Sequence, residues 1–351
     1  MKSSEAVKSG FLRRMYVPLT LIGLLGIAVF TGSCRSLTKA EIGELLQGLG
    51  KNAALRSISR LSFRADLGLG ESDYELVYHH SPAQLPGAEV PVVLIHGTPS
   101  TLYSWTEIIK GLPGGEGTQA TPGLAATRDV YALEVIGHGI APGDASPYSF
   151  ERCARFIVAA LHALELERVH LVGSSYGAEF CWRAALNAPQ LFESLVLLDS
   201  SGYPRREADW LPEEVEMREN SLANYGWWLN SKARITTALA PHFRVLPPDR
   251  VEEFFWVCEN ASNWRAMIDL VRDENGLRSP ELIQLQVPTL LLWGAEDLAY
   301  GADYYAQLFD KDIPNSRLEV LPETGHYPHE ERPALVLARL SLFFDDVEAG
   351  Q

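Results

Sequence analysis

The chain has 351 residues, 46% of them hydrophobic, with 28 glycines and 21 prolines, which suits one large globular domain with an insertion, or two domains. Its formal charge is −15, and because residues 1–34 carry a net +3 the remainder stands at −18. A body that acidic repels phosphate backbones, and with no basic stripe to offset it nucleic acid is a poor partner.

The N-terminus differs from everything after it. Lys2, Lys8, Arg13 and Arg14 precede an uncharged, mainly apolar run over residues 15–30, and Thr31-Gly32-Ser33 leads into Cys34. This is the charged, apolar and small-residue layout of a secretory signal. Its end, T-G-S-C, resembles a bacterial lipoprotein signal, which makes Cys34 a candidate lipidation site. An uncleaved anchor is the alternative, because residues 15–34 are just long enough to span about 30 Å of hydrocarbon. Both place the body outside the cytoplasm of a bacterium, tethered to a membrane. Cys153, Cys181 and Cys258 remain, an odd number with no C-x-x-C pair; they read as mostly buried thiols, with one bridge allowed in an oxidising compartment.

Residues 35–56 are predicted to form an amphipathic helical spacer. Thr38 and Glu41 have the spacing of a capping box, and Ile42, Leu45, Leu46 and Leu49 share one helical face. From residue 57 the pattern changes to strands, predicted at 57–65, 74–79, 90–96, 129–135, 169–173, 195–199, 289–294 and 317–321. Several are unbroken Val/Ile/Leu runs, as expected of strands covered on both faces. Helix-length segments at 104–111, 149–166, 178–187 and 303–308 alternate with the later strands. That alternation implies right-handed crossovers and an α/β fold with a mostly parallel eight-stranded sheet flanked by helices. The Gly/Ala/Thr-rich stretch 113–127 reads as a flexible surface excursion.

One segment, from 202 to about 279, contains no convincing strand. It holds Trp210, Tyr225, Trp227, Trp228, Phe243, Phe254, Phe255, Trp256 and Trp264, including five of the eight tryptophans. Most of these rings belong in the core of a small helical cap. A few are expected to face down as an apolar ceiling, and Trp210, Trp228, Trp256 and Trp264 are the candidate substrate contacts, because ligands in open α/β sheets bind at the carboxyl ends of the strands. The predicted organisation is an α/β core at 57–201, a cap at 202–280, the rest of the core at 281–346 and a tail at 347–351.

The chemistry centres on Val169-His170-Leu171-Val172-Gly173-Ser174-Ser175-Tyr176-Gly177-Ala178. An apolar run ends in G-x-S-x-G and gives way at once to a helix, so Ser175 falls on a strand-to-helix turn and is the candidate nucleophile; Ser174 reads as a turn residue. A serine hydroxyl needs a base to take its proton. With the order serine, acid, histidine that accompanies this turn, only His326 and His329 stand late enough. His326, in P-E-T-G-H after the last strand, is the base, and His329, beyond Pro328, is expected to face solvent. Asp297, in W-G-A-E-D at a strand end, is the acid that orients it, with Asp199 the runner-up. The Thr98 amide, in H-G-T-P-S, and the Tyr176 amide form the candidate oxyanion hole. His96 orders that loop by hydrogen bonding. No metal or organic cofactor is implied: His79 and His80 point to opposite faces of a strand, and no P-loop, H-E-x-x-H or dinucleotide glycine pattern occurs.

These motifs together resemble the α/β-hydrolase family, in the capped branch with an H-G-x-P loop that includes epoxide hydrolases, haloalkane dehalogenases, carbon–carbon bond hydrolases and many esterases. The likeness runs from about residue 74 to 344 through H-G-T-P with Trp105 downstream, Gly137-His138-Gly139, G-S-S-Y-G, W-G-A-E-D and G-H-Y-P-H-E. It implies the triad Ser175, Asp297, His326 and the oxyanion donors Thr98 and Tyr176. Glu134 stands where the family commonly has aspartate. Dehalogenases and epoxide hydrolases of this branch use an aspartate nucleophile; serine at 175 points instead to cleavage of an ester-type bond in a small or medium apolar substrate through an acyl-enzyme. Carbon–carbon bond hydrolysis, a perhydrolase activity and a non-catalytic, membrane-tethered binding protein are the alternatives.

Overall fold

The computed structural model describes residues 57–85, 89–115, 119–144, 146–210, 212–219, 231–257 and 261–350. Outside them lie the N-terminal signal or anchor with Cys34, the spacer helix, Tyr225, Trp227, Trp228 and Cys258; the side chain of Trp256 is likewise undescribed. Among the described residues no helix is long and apolar enough to cross a membrane.

The strands are β1 (Ile58–Asp66), β2 (Glu71–Ser81), β3 (Val92–Ile95), β4 (Val130–Glu134), β5 (Val169–Ser174), β6 (Phe192–Leu198), β7 (Thr289–Gly294) and β8 (Ser316–Leu321). They form one sheet in the order β1-β2-β4-β3-β5-β6-β7-β8. The pairs β1/β2 and β2/β4 are antiparallel and the rest are parallel. Period-two alternation sorts the central side chains between two cores. Val93, Ile95, Leu171, Leu195, Leu197, Leu291 and Trp293 point to one face; Val92, Leu94, Val172, Val196, Leu198, Leu290 and Leu292 point to the other. Every one of these positions is buried, which is why the parallel strands read as apolar runs rather than as alternation.

The helices are α1 (Thr106–Lys110), α2 (Phe150–Ala163), α3 (Tyr176–Asn187), α4 (Pro212–Glu219), α5 (Lys232–Leu239), α6 (Pro248–Val257), α7 (Ala261–Asp273), α8 (Gln307–Asp312), α9 (Pro328–Glu331) and α10 (Pro333–Glu348). Helices α2, α3 and α8 pack on the first core, α1 and α10 on the second. Helix α2 starts where Ser149 caps it, its hydroxyl accepting the Arg152 amide at 3.2 Å. Helices α4 to α7 follow β6 and form the helical insertion.

Two stretches differ from the sequence expectation. The supposed surface excursion supplies one strand, Thr121–Pro122, of a two-stranded ribbon with Gly111–Leu112 just before it, and a 3₁₀ turn that buries Leu124 and Ala125. After β8, where no helix was expected, α10 buries Val336, Leu337, Leu340, Phe343 and Phe344. Its end is fastened by charge: the buried Arg128 pairs with Asp345 and Glu348, and Glu348 also meets Nε2 of the buried His170 at 3.0 Å.

Candidate active site

Ser175 sits between β5 and α3 with φ +56° and ψ −125°, a backbone that a non-glycine residue holds only when its surroundings over-determine it. Gly177 is one such constraint: a Cβ there would lie 2.2 Å from the His96 carbonyl oxygen, so only glycine lets the helix start this close to the loop after β3. Ser174 is the last residue of β5 rather than a turn residue.

The structure brings Ser175, His326 and Asp297 into one line. His326 Nε2 is 2.9 Å from Ser175 Oγ, and His326 Nδ1 is 2.9 Å from Asp297 Oδ2. A carboxylate only accepts, so Nδ1–H donates to Asp297 and Nε2 keeps its lone pair for the serine proton. Exposure is 4% for Ser175, 5% for Asp297 and 2% for His326. Asp297 Oδ1 takes the Ala299 and Tyr300 amides at 2.8 and 3.2 Å. Against the opposition of burial, His326 and these amides hold Asp297 below the usual carboxylate range. Asp199, the alternative acid, gives Oδ1 to the Gly294 amide at 2.9 Å instead.

The loop after β3 flanks the serine, since a Cβ on Gly97 would stand 3.0 Å from Ser175 Cβ. His96 Nδ1 is 2.8 Å from the Gly97 carbonyl and its Nε2 is 3.2 Å from Glu134 Oε2; Glu134 Oε1 accepts the Leu102 amide at 3.0 Å. Thr98 is oriented by His138. Burial, reinforced by His96, pushes His138 down to about 3, so the ring is neutral. Its Nδ1–H donates to the Ile136 carbonyl at 2.9 Å, and Nε2 accepts the Thr98 hydroxyl at 2.7 Å. Tyr176, as the first helical residue of α3, has an amide with no acceptor inside the helix.

The helical insertion grips the site at several points. The His242 carbonyl accepts the His326 amide at 2.8 Å. Glu274, just beyond α7, accepts the Tyr176 hydroxyl at 2.5 Å and the Tyr300 hydroxyl at 2.7 Å. Thr101 donates to Glu253 at 2.6 Å, while Arg250 reaches Ser100 at 3.2 Å and Glu330 at 3.0 Å. Burial pushes Glu274 up to about 7 although Arg205 opposes it, and burial with the nearby His326 pushes His242 down to about 4.

Of the four tryptophans expected as a ceiling, the side chains of Trp210 and Trp264 are described. Trp210 has the guanidinium groups of Arg205 and Arg218 each 4.2 Å from its ring centre, and Trp264 packs partly buried on the first core. Among the described residues, the rings of Tyr327, His242 and Tyr300 lie around His326 at 4.9, 5.4 and 5.6 Å. His329 is not solvent-facing. It is 1% exposed and stacks on Trp105 at 4.1 Å, because α9 turns the chain back against the segment before α1. Glu274, His138 and His242 went unassigned in the sequence; only His138, inside G-H-G, had a signal that could have found it.

One atom each from Asp199, Asp297 and His326 lies within 4.8 Å of the others, a spacing that a metal ion could bridge. The His326–Asp297 hydrogen bond already occupies two of those atoms.

A family model described as alpha/beta hydrolase family matches residues 92–339. An uncharacterized hydrolase of Bacillus subtilis (strain 168), YugF, is 27% identical over 263 residues, covering 74% of this chain and 91% of that protein. A 2-hydroxymuconate semialdehyde hydrolase of Pseudomonas sp. (strain CF600) is 26% identical over 281 residues, 75% of this chain and 90% of that one. Among solved structures, a membrane phospholipase A, described as a bacterial virulence factor, superposes with TM-score 0.69 at 22% identity, covering 94% of this chain and 98% of that one. A thermophilic esterase from Thermogutta terrifontis gives TM-score 0.66 at 20% identity, covering 82% and 99%. The structural likenesses establish the fold.

Proposed function

Because this chain belongs to the alpha/beta hydrolase family, we propose that it is a serine hydrolase cleaving uncharged ester-type bonds through an acyl-enzyme. The observation that carries the reading is the unbroken hydrogen-bonded line from Ser175 Oγ through His326 to Asp297, 2.9 Å at each link. Ser175 Oγ attacks the carbonyl carbon while His326 Nε2 takes its proton, and Asp297 stabilises the imidazolium. The Thr98 and Tyr176 amides receive the oxyanion. His326 then protonates the departing alkoxide, and a water molecule repeats the sequence on the acyl-enzyme to release the acid. An alkyl halide or epoxide would leave a serine ether, which this machinery has no carbonyl to attack, so dehalogenation and epoxide opening do not fit.

Charge favours a neutral substrate. Arg205 is bidentate to Glu214 at 2.8 Å and lies 3.8 Å from Glu274. Arg250 is matched by Glu253 and Glu330. Each of these buried guanidinium groups already has carboxylates beside it that balance its charge. Carbon–carbon hydrolysis is the second reading, favoured by the semialdehyde hydrolase relative; its anionic dienoate substrates would meet these already matched cations. The apolar run over residues 15–30 ending at Cys34 supports an extracytoplasmic, membrane-tethered location.

A fluorophosphonate probe tests the reading directly. Wild type is expected to be labelled and to hydrolyse p-nitrophenyl butyrate, and Ser175→Ala to lose both while unfolding at the same temperature. A well-folded wild type that takes no label would refute it, and faster turnover of a 2-hydroxy-6-oxo-dienoate than of any ester would establish the second reading.

A further inference from the structure

Asp199 leaves β6 with φ +46°, a left-handed backbone that is uncommon outside glycine. Ser175, on the neighbouring strand end, is held the same way. This turn aims a second carboxyl at the back of the triad. Asp199 is 0% exposed, and its Oδ1 takes the Gly294 amide. Its Oδ2 is buried with no N–H or O–H partner among the described residues.

An ionised, buried oxygen with nothing to accept from is costly, and two carboxylates this close, out of water, do not both ionise. The placement of donors decides which keeps the proton. Asp297 receives three N–H groups, from His326, Ala299 and Tyr300, while Asp199 receives one, from Gly294. The ionised form therefore belongs to Asp297. Resting on the triad reading above, we propose that Asp199 is a neutral carboxylic acid whose Oδ2–H donates to the Asp297 carboxylate, making it a positioning residue that holds Asp297 in line with His326.

The charged and titratable groups facing Asp199 agree with this assignment: Asp297 from the loop after β7, His326 from the loop after β8, and Glu331 of α9. Burial first, then Asp297, pushes Asp199 well above the usual carboxylate range, with Glu331 adding to it and the Gly294 amide opposing. The same placement accounts for the metal-like spacing of Asp199, Asp297 and His326, since a shared proton bridges two of them.

The decisive variant is Asp199→Asn, whose amide donates to Asp297 as the acid does while its carbonyl keeps the Gly294 bond. Its kcat on p-nitrophenyl butyrate is expected to stay within about threefold of wild type, whereas Asp199→Ala loses about tenfold in kcat with KM unchanged. Infrared spectra of wild type should contain the C=O stretch of a buried protonated carboxyl that Asp199→Asn removes. Loss of activity in Asp199→Asn equal to that in Asp199→Ala, or the absence of a band that Asp199→Asn abolishes, would overturn the assignment. Should Asp199→Ala not fold, Asp199→Asn and the band decide without it. Failure of fluorophosphonate to label wild type would sink the serine-hydrolase reading instead, and the band would still test the proton.

Discussion

Glu274 joins the helical insertion to both arms of the site, and its ionisation gives a number that can be checked. It is 6% exposed and accepts from Tyr176, the residue after Ser175, and from Tyr300, three residues after Asp297. Burial raises its folded pKa from 4.5 to about 7. Between those values the native protein binds more protons than the unfolded chain, so what this group contributes to stability is full below pH 4.5 and is lost as pH rises through about 7. At 1.36 kcal/mol per unit the loss is about 3 kcal/mol. Glu274→Gln removes the titration while Arg205 keeps its bidentate partner Glu214. Any fixed difference between the two proteins, such as a poorer tyrosine contact, is independent of pH and subtracts out. Urea unfolding from pH 4.5 to 8 is therefore expected to show Glu274→Gln gaining on wild type by about 3 kcal/mol, nearly all of it before pH 8. A difference that stays flat across this range would refute the upward shift of the Glu274 carboxyl.

Gly97→Ala introduces a Cβ 3.0 Å from both the Ser174 carbonyl oxygen and Ser175 Cβ. Because both belong to the fixed turn, the serine must shift by a few tenths of an ångström, and kcat/KM is expected to fall about tenfold or more with little change in melting temperature; unchanged turnover would contradict that geometry. For the tether, labelled palmitate is expected to be incorporated into full-length protein and lost in Cys34→Ser, while incorporation unaffected by that substitution would rule out Cys34 as the site.

The sequence read well where structure is local. A mainly apolar run followed by G-S-S-Y-G can be little other than a buried strand turning sharply into a helix, and the main-sheet strands lie within a few residues of where period and turn residues put them. Family-like motifs named Ser175, Asp297 and His326 from short words around each. Local pattern was blind wherever a side chain's environment comes from a distant segment. His329 looked exposed because Pro328 and two glutamates surround it in sequence, yet its ring is covered by Trp105.

What the sequence by itself determined is the alternation of strands and helices, the turn that presents the serine, and the net negative charge, because these depend on neighbours a few residues apart. What only the tertiary structure decided is which partners meet. Asp199 and Asp297 are 98 positions apart in the chain, as are Tyr176 and Glu274, and neither pairing leaves a periodic trace. Whether a carboxyl ionises depends on burial and on the donors that the fold assembles around it, and residue type alone encodes neither.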